Sequence, residues 1–178
     1  LRILVTSKNI LTLTEINKTI DFIEKQNKLK ANPPLVLLQQ GWSPYLASNF
    51  LKQQGIQCNF YKTIYNEEWL ASSNSYELDN TFNNIFYYIS GNEHNVTRLS
   101  LKLSVSDVST KNSDLDSFCL LMSQLYFSAT FENIEDTILS KVSDLKDFQI
   151  NYEHYTIYIE TTNYINNNGF SVSFIMKN

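Results

Sequence analysis

LSLKLSVS at residues 99–106 alternates apolar and polar side chains, which is the period of a half-buried β-strand. After a polar gap, LDSFCLLMSQLYFSA at residues 115–129 places apolar side chains at helical spacing on one face. That face consists of Leu115, Phe118, Cys119, Met122, Leu125, Tyr126 and Ala129. A strand that leads into an amphipathic helix buries both apolar surfaces when the helix lies on a sheet, so this pair predicts an α+β architecture.

The composition favours a folded, strand-rich domain. Hydrophobic residues make up 43% of the 178 residues, charged residues only 18%, and Tyr and Phe occur 11 times each. The net charge of −4 argues against a nucleic-acid partner, since such a surface needs clustered Lys and Arg. No segment has the apolar length of a membrane span.

Further helices and strands are predicted from local patterns. Helices are expected at 13–30 and after Ser43-Pro44, with Gly55 as the stop of the second, and strands at 35–38 and 57–65. Two hairpins follow, one with strands at 82–89 and 97–106, the other at 152–162 and 170–176 around an Asn-Gly turn at 166–169. Residues 67–77 are interpreted as a helical turn and a loop, and 134–145 fit either a helix or, less well, a strand.

These elements predict an antiparallel sheet with amphipathic helices packed on one face. The C-terminal half is expected to be ferredoxin-like and the N-terminal half to contain an α/β-type crossover. The segment at 67–77 is the candidate boundary, which gives portions 1–75 and 76–178, with one continuous domain as the alternative.

No catalytic residue, metal ligand or cofactor site is predicted. His94 lies in a turn and His154 at the start of a strand, and neither has a nucleophile at motif spacing. Asp114 and Asp116 stand where a helix N-terminus favours acids, which explains them without catalysis.

Two weaker signals complete the search for chemistry. The junction 39–44, between a predicted strand and a predicted helix, is a place where anions bind, but it carries a single glycine, Gly41, and no phosphate-loop motif. Cys58 and Cys119 allow one disulfide, although Cys119 on the apolar helix face also fits a small buried hydrophobe.

The tyrosines around the last hairpin are the candidate interface. Side chains of this kind most often pack across strands, but if exposed they indicate a protein interface, where tyrosine is enriched. The candidates are Tyr152, Tyr155, Tyr158 and Tyr164.

The segment MSQLYFSATFEN at 122–133 resembles the helix-to-strand segment of PilN/PilO-type assembly proteins of type IV pili and their type II secretion counterparts. The resemblance covers roughly 97–165. It implies a ferredoxin-like domain on the periplasmic side of the bacterial inner membrane, which acts as a non-enzymatic scaffold and forms a homodimer or a heterodimer with a paralogue. Because the chain begins at Leu1 without Met, we expect a signal peptide or a membrane anchor to have been removed from its N-terminus.

Two alternatives remain open. One is a small cytoplasmic binding protein, such as an immunity protein that neutralises a bacterial toxin, which the acidic character and the lack of catalytic motifs also fit. The other is an enzyme that uses the strand–helix junction at Gly41.

Overall fold

The structure, a computed structural model, describes residues 41–59, 61–65, 68–78, 83–165 and 169–178. These residues all belong to one compact unit that spans Leu35–Asn178. The helix predicted at 13–30, the strand at 35–38 with the crossover that they imply, and the turn residues 166–168 lie outside the described residues.

The described residues form three α-helices, eight β-strands and two short 3-10 turns. The helices are α1 (Pro44–Asn49), α2 (Lys111–Thr130) and α3 (Asp136–Ser143), and the 3-10 turns are Lys52–Gln54 and Val108–Thr110. The strands are β1 (Lys62–Tyr65), β2 (Glu68–Ser72), β3 (Tyr76–Glu77), β4 (Asn84–Gly91), β5 (Val96–Val105), β6 (Phe148–Asn151), β7 (Thr156–Asn163) and β8 (Phe170–Lys177).

The strands form one antiparallel sheet in the order β1-β2-β4-β5-β8-β7-β6, with β3 paired to β4 beside β2. The chain is therefore an α+β domain with an antiparallel sheet, as the sequence predicts. Because β8 lies antiparallel between β5 and β7, those two strands run parallel to each other. This split β-α-β arrangement also occurs in ferredoxin-like folds, and the ferredoxin-like detail stays a prediction.

The core lies between the sheet and its helices. Alternate residues of β4 and β5 point towards the helices and are completely buried, among them Ile85, Tyr87, Leu101 and Leu103. The α2 helix covers them with a buried face of its own that includes Phe118. Burial of each such side chain contributes about 1.5–3 kcal/mol, so this layer dominates the stability.

The structure decides the open question at 134–145 in favour of a helix. The α3 helix buries Ile138 and Val142, which stand one turn apart on the same face. A strand would have placed Ile134, Ile138 and Val142 on one side together with Asp136 and Ser140, which remain exposed or half-buried.

Three strands were not predicted, namely β2, the two-residue β3 and β6. Residues 68–72 form strand β2, not the helical turn and loop predicted there, because Trp69 and Leu70 pair between β1 and β4. Strand β6 precedes a tight turn at 153–154, so the strand predicted at 152–162 begins only at Thr156. Conversely, the strand predicted at 57–65 is shorter, and Cys58 makes only an isolated bridge to Ser73.

The proposed boundary between residues 75 and 76 falls within this sheet. Strand β2 lies before it and β4 after it, and the two pair from Trp69↔Gly91 to Ser72↔Tyr88.

Candidate functional site

An open groove lies beside α1, and we call it the polar groove. Its volume is about 700 Å³. It is lined by residues of α1, of the segment 52–59, by Tyr61 and by residues 73–76.

The first wall of the polar groove is a short helix whose ends are fixed by sequence. Ser43 accepts a hydrogen bond from the Leu46 amide through Oγ at 3.3 Å, and Pro44 occupies the first helical turn. After the 3-10 turn, Gly55 adopts φ +80°, a left-handed conformation that favours glycine. Only Ala47 of α1 is buried, so Tyr45 projects outward and is 79% exposed.

Side-chain amides form hydrogen bonds with one another along the groove. Gln57 Nε2 donates to Asn49 Oδ1 at 3.1 Å, and Asn59 Nδ2 donates to Asn74 Oδ1 at 3.5 Å. Each pair uses one donor of one amide and one acceptor of the other, so neither bond uses the Gln57 Oε1 acceptor or the Asn74 Nδ2 donors. Among the described residues that line the groove, Lys52 is the only charged one.

Two titratable side chains at the groove are kept neutral. Burial raises the pKa of the Cys58 thiol to about 12, which removes the thiolate needed for nucleophilic attack. Burial and the nearby charge of Glu68 raise the pKa of Tyr61 to about 12, and its hydroxyl donates to the Asn92 carbonyl at 2.9 Å. Both cysteines are free thiols, so the disulfide that the sequence allows is not formed.

The candidate interface tyrosines do not form one surface. Tyr155 is buried, and its hydroxyl lies 2.8 Å from that of Tyr126 on α2. Tyr152 stacks on Tyr155 with ring centroids 4.8 Å apart and donates to Glu135 Oε1 at 2.9 Å. Tyr126 is a core residue and was not among the predicted site residues. Its helical spacing had placed it on the apolar face of the predicted helix.

The other two candidates lie elsewhere. Tyr158 stands between Ile157 and Ile159 on β7, so it points to the opposite face of the sheet from those buried residues. Tyr164 follows β7, and its amide donates to the Gly169 carbonyl at 2.8 Å. Only Tyr152 and Tyr155 are therefore brought together.

Tyr126, Tyr152 and Tyr155 form a tyrosine cluster whose hydroxyl groups have raised pKa values. Burial is the first cause that raises the pKa of all three hydroxyls, and the charges of Glu132 and Glu135 add to it at Tyr126 and Tyr152. These groups stay protonated at neutral pH and act as packing and hydrogen-bonding elements.

The residues considered for catalysis are dispersed. His94 lies in the β4–β5 turn, and His154 Nε2 lies 3.8 Å from Glu153 Oε1 in the β6–β7 turn. Asp114 is buried in a hydrogen-bond network, whereas Asp116 is exposed. Over the described ranges, no three His, Cys, Asp or Glu side chains converge to hold a metal ion.

The described residues of the Gly41 junction form hydrogen bonds within the fold. The Trp42 backbone pairs with Val96, and its indole Nε1 donates to the Ala129 carbonyl at 3.0 Å. The Ser43 hydroxyl caps α1. These contacts account for the residues of the junction that the structure describes.

The free edge of the sheet at β6 is the second candidate. The Tyr152 amide donates to the Tyr155 carbonyl, which fixes the hydrogen-bonding phase of the β6–β7 hairpin. Phe148 and Ile150 therefore direct their backbone groups towards β7, and Gln149 and Asn151 direct theirs outward. Within the described part of the chain, no strand pairs with this outer side.

No helix among the described residues combines the length and apolar character needed to cross a bilayer. Comparisons of this chain with protein families, with curated proteins and with solved structures give no match.

Proposed function

We propose that this chain is a non-enzymatic interaction module that associates with a second copy of itself, or with a paralogous chain, through the outer edge of β6. The observation that carries the proposal is the difference between the two edges of the sheet. Monomeric proteins usually protect an edge strand from pairing with another chain by a charge, a proline, a bulge or a covering segment.

The β1 edge has such protection. It carries Lys62, and its pairing with β2 is interrupted by a register shift between Thr63 and Tyr65. The β6 edge is different, because its four residues, Phe148–Asn151, contain no charge and no proline and pair in regular register with β7.

Antiparallel pairing of β6 with itself is stereochemically favourable. If Gln149 faces Gln149 of the second copy, the outward backbone groups of both strands form hydrogen bonds. The same register places Phe148 of one copy against Ile150 of the other, on the face that carries the buried Ile157 and Ile159. The two sheets would become one continuous sheet.

The setting follows from the resemblance of 122–133 to PilN/PilO-type proteins. In that setting the module would be part of an envelope assembly, on the periplasmic side of the inner membrane. Dimerisation through a sheet edge supplies the rigid two-fold unit that a scaffold of this kind needs.

Sedimentation of the Gln149→Pro variant tests the proposal. Proline removes one outward donor and leaves the β6–β7 hydrogen bonds of Phe148 and Ile150 intact. We expect the wild-type protein and the control Gln149→Ala to shift from monomer to dimer as concentration rises, and Gln149→Pro to remain monomeric. A dimer that persists in Gln149→Pro with unchanged affinity, or a wild-type monomer at every concentration and with every co-expressed paralogue, would contradict it.

An acidic patch favours a second candidate, the toxin-neutralising immunity protein. Glu132, Glu135, Asp136 and Glu153 are exposed, and the first two lie close enough to Tyr152 to raise the pKa of its hydroxyl. Such a patch complements a basic partner and accelerates its association at low salt.

Binding to the protein encoded next to this gene distinguishes the two candidates. If the chain is an immunity protein, we expect a 1:1 complex whose affinity falls as the salt concentration rises. This complex should be lost in the double variant Glu132→Lys, Glu135→Lys. This candidate is rejected if no complex forms, or if its affinity is unchanged both by salt and by the double variant. Either result leaves the proposal for the β6 edge unaffected.

A further inference from the structure

We infer that the polar groove is a binding site for a neutral oligosaccharide. The inference rests on three properties of its lining: uncommitted amide groups, exposed tyrosine rings and a near absence of charge. It is independent of the pairing proposed for β6, which lies at the opposite edge of the sheet.

The amides supply directional contacts for hydroxyl groups. Asn74 accepts from Asn59 through Oδ1, and its Nδ2 group makes no hydrogen bond to the described chain. Gln57 donates through Nε2 to Asn49, which leaves its Oε1 as an acceptor. A sugar hydroxyl both donates and accepts, so adjacent amide N–H and C=O groups suit a pair of neighbouring hydroxyls.

The hydrogen bonds between these amides restrict their rotamers before a ligand binds. Because Gln57 holds Asn49 at 3.1 Å, fewer rotamers of this pair are lost on binding, whereas the longer contact of 3.5 Å between Asn59 and Asn74 restrains those side chains less. Asn49 is held as well, since its Nδ2 donates to the Tyr45 carbonyl at 2.6 Å.

Tyrosine rings supply the apolar contacts. Tyr45 is 79% exposed and Tyr76 is 36% exposed, and both line the groove. The Tyr76 ring rests beside Gly55, where an added Cβ would lie 3.9 Å from Cε2. A tyrosine ring offers a flat apolar face together with a polar hydroxyl, which matches the C–H face and hydroxyl rim of a pyranose.

The electrostatics and floor of the groove favour a sugar over other ligands. Lys52 is the one charged residue in the lining, so a strongly anionic or cationic ligand would find little compensation. Peptide grooves present pockets for apolar side chains, but Ile56 at the floor is 1% exposed and Cys58 is 6% exposed. Apart from Lys52, the accessible side chains of the lining are therefore mainly amides, hydroxyls and tyrosine rings.

Tryptophan fluorescence provides a direct readout. Trp69 contacts Tyr61, which lines the groove, with ring centroids 5.6 Å apart and ring planes tilted by 35°. Trp42 is buried, and its indole bonds to α2. The full chain is titrated with chitotetraose, cellotetraose and maltotetraose, and with a Gly-Ser tetrapeptide as the peptide probe. The variants are Asn74→Ala and Tyr76→Ala, with the exposed Asn112→Ala as the matched control.

We expect a saturable change of the Trp69 signal with at least one of the three sugars. Asn74→Ala and Tyr76→Ala should each weaken that affinity by about tenfold, while Asn112→Ala should leave it unchanged. The inference is overturned if none of the three sugars gives a saturable change, if binding is unaffected by both groove variants, or if only the tetrapeptide binds. Circular dichroism of each variant confirms that it is folded.

Discussion

At the residue scale, Asn83 does more to organise the domain than its position before β4 indicates. It is completely buried, and its Oδ1 accepts from the amides of Ser106 and Asp107 at 2.7 and 2.9 Å. Its Nδ2 donates to the buried Asp114 carboxylate at 2.6 Å and to Thr110 Oγ1 at 3.1 Å. One amide thus joins the start of β4, the end of β5 and the first turn of α2.

Replacement of this amide predicts a large loss of stability. Asn83→Ala leaves the Asp114 carboxylate with the Thr110 hydroxyl as its remaining hydrogen-bond partner among the described residues, and it leaves two backbone amides without their acceptor. We therefore expect a loss of about 3 kcal/mol in the free energy of unfolding. Urea denaturation measures it. The exposed Asn112→Ala should change stability by less than about 0.5 kcal/mol, and equal effects of the two variants would contradict the role of Asn83.

Sequence reasoning found half of this network. Asp114 is predicted in the first turn of a helix, where it lies, because the preference for acids there is local. Its burial against Asn83 is not predictable from spacing, since the two residues are 31 positions apart and meet only through the β4–β5 pairing. The contact of Tyr155 with Tyr126 was not predictable for the same reason, because Tyr126 comes from α2.

At the element scale, patterns that repeat over many residues predicted their structures well. The alternation at 99–106 is β5, and the helical spacing at 115–129 is α2, because each pattern is long enough to bury one whole face. β2 and β6 are short, with five and four residues, and their strand geometry depends on neighbours in the sheet.

The α3 helix allows a quantitative test of that distinction. Ile138 is completely buried on its inner face, so Ile138→Ala should cost about 2–4 kcal/mol of stability through lost burial and the cavity left behind. Chemical denaturation measures the loss. Lys141→Ala, on a half-buried position of the same helix, is the comparison, and a cost as small as that of Lys141→Ala would show that α3 does not pack as described.

At the scale of the whole molecule, one sheet joins segments that the sequence separates. The pairing of β2 with β4 crosses the predicted boundary between residues 75 and 76. Compositional breaks such as the serine-rich stretch at 72–75 mark a loop but do not reveal whether the strands on each side pair with each other. The candidate groove was missed for a similar reason, because its lining comes from 44–59, Tyr61 and 73–76 and carries no motif.

The raised tyrosine pKa values predict the stability of the whole domain at high pH. Burial raises the pKa of Tyr61, Tyr87, Tyr126, Tyr152 and Tyr155 above their ordinary value near 10. Above pH 10 the unfolded chain releases these protons and the folded chain retains them, so the unfolded state is favoured as pH rises.

We therefore expect full stability below pH 10 and a progressive loss above it, as far as about pH 12 for Tyr61. Absorbance at 295 nm, which follows tyrosinate, should rise together with unfolding as measured by circular dichroism. Ionisation of all tyrosines near pH 10 in a chain that stays folded would contradict the burial assigned to them.

The central claim, that β6 is an association edge, is tested most directly by amide hydrogen exchange at residue resolution over a range of protein concentrations. We predict that the outward amides of Gln149 and Asn151 exchange rapidly in dilute protein and become protected as concentration rises. The inward amide of Ile150 should be protected throughout. Rapid exchange at Gln149 and Asn151 at every concentration, while another surface gains protection, would contradict the account.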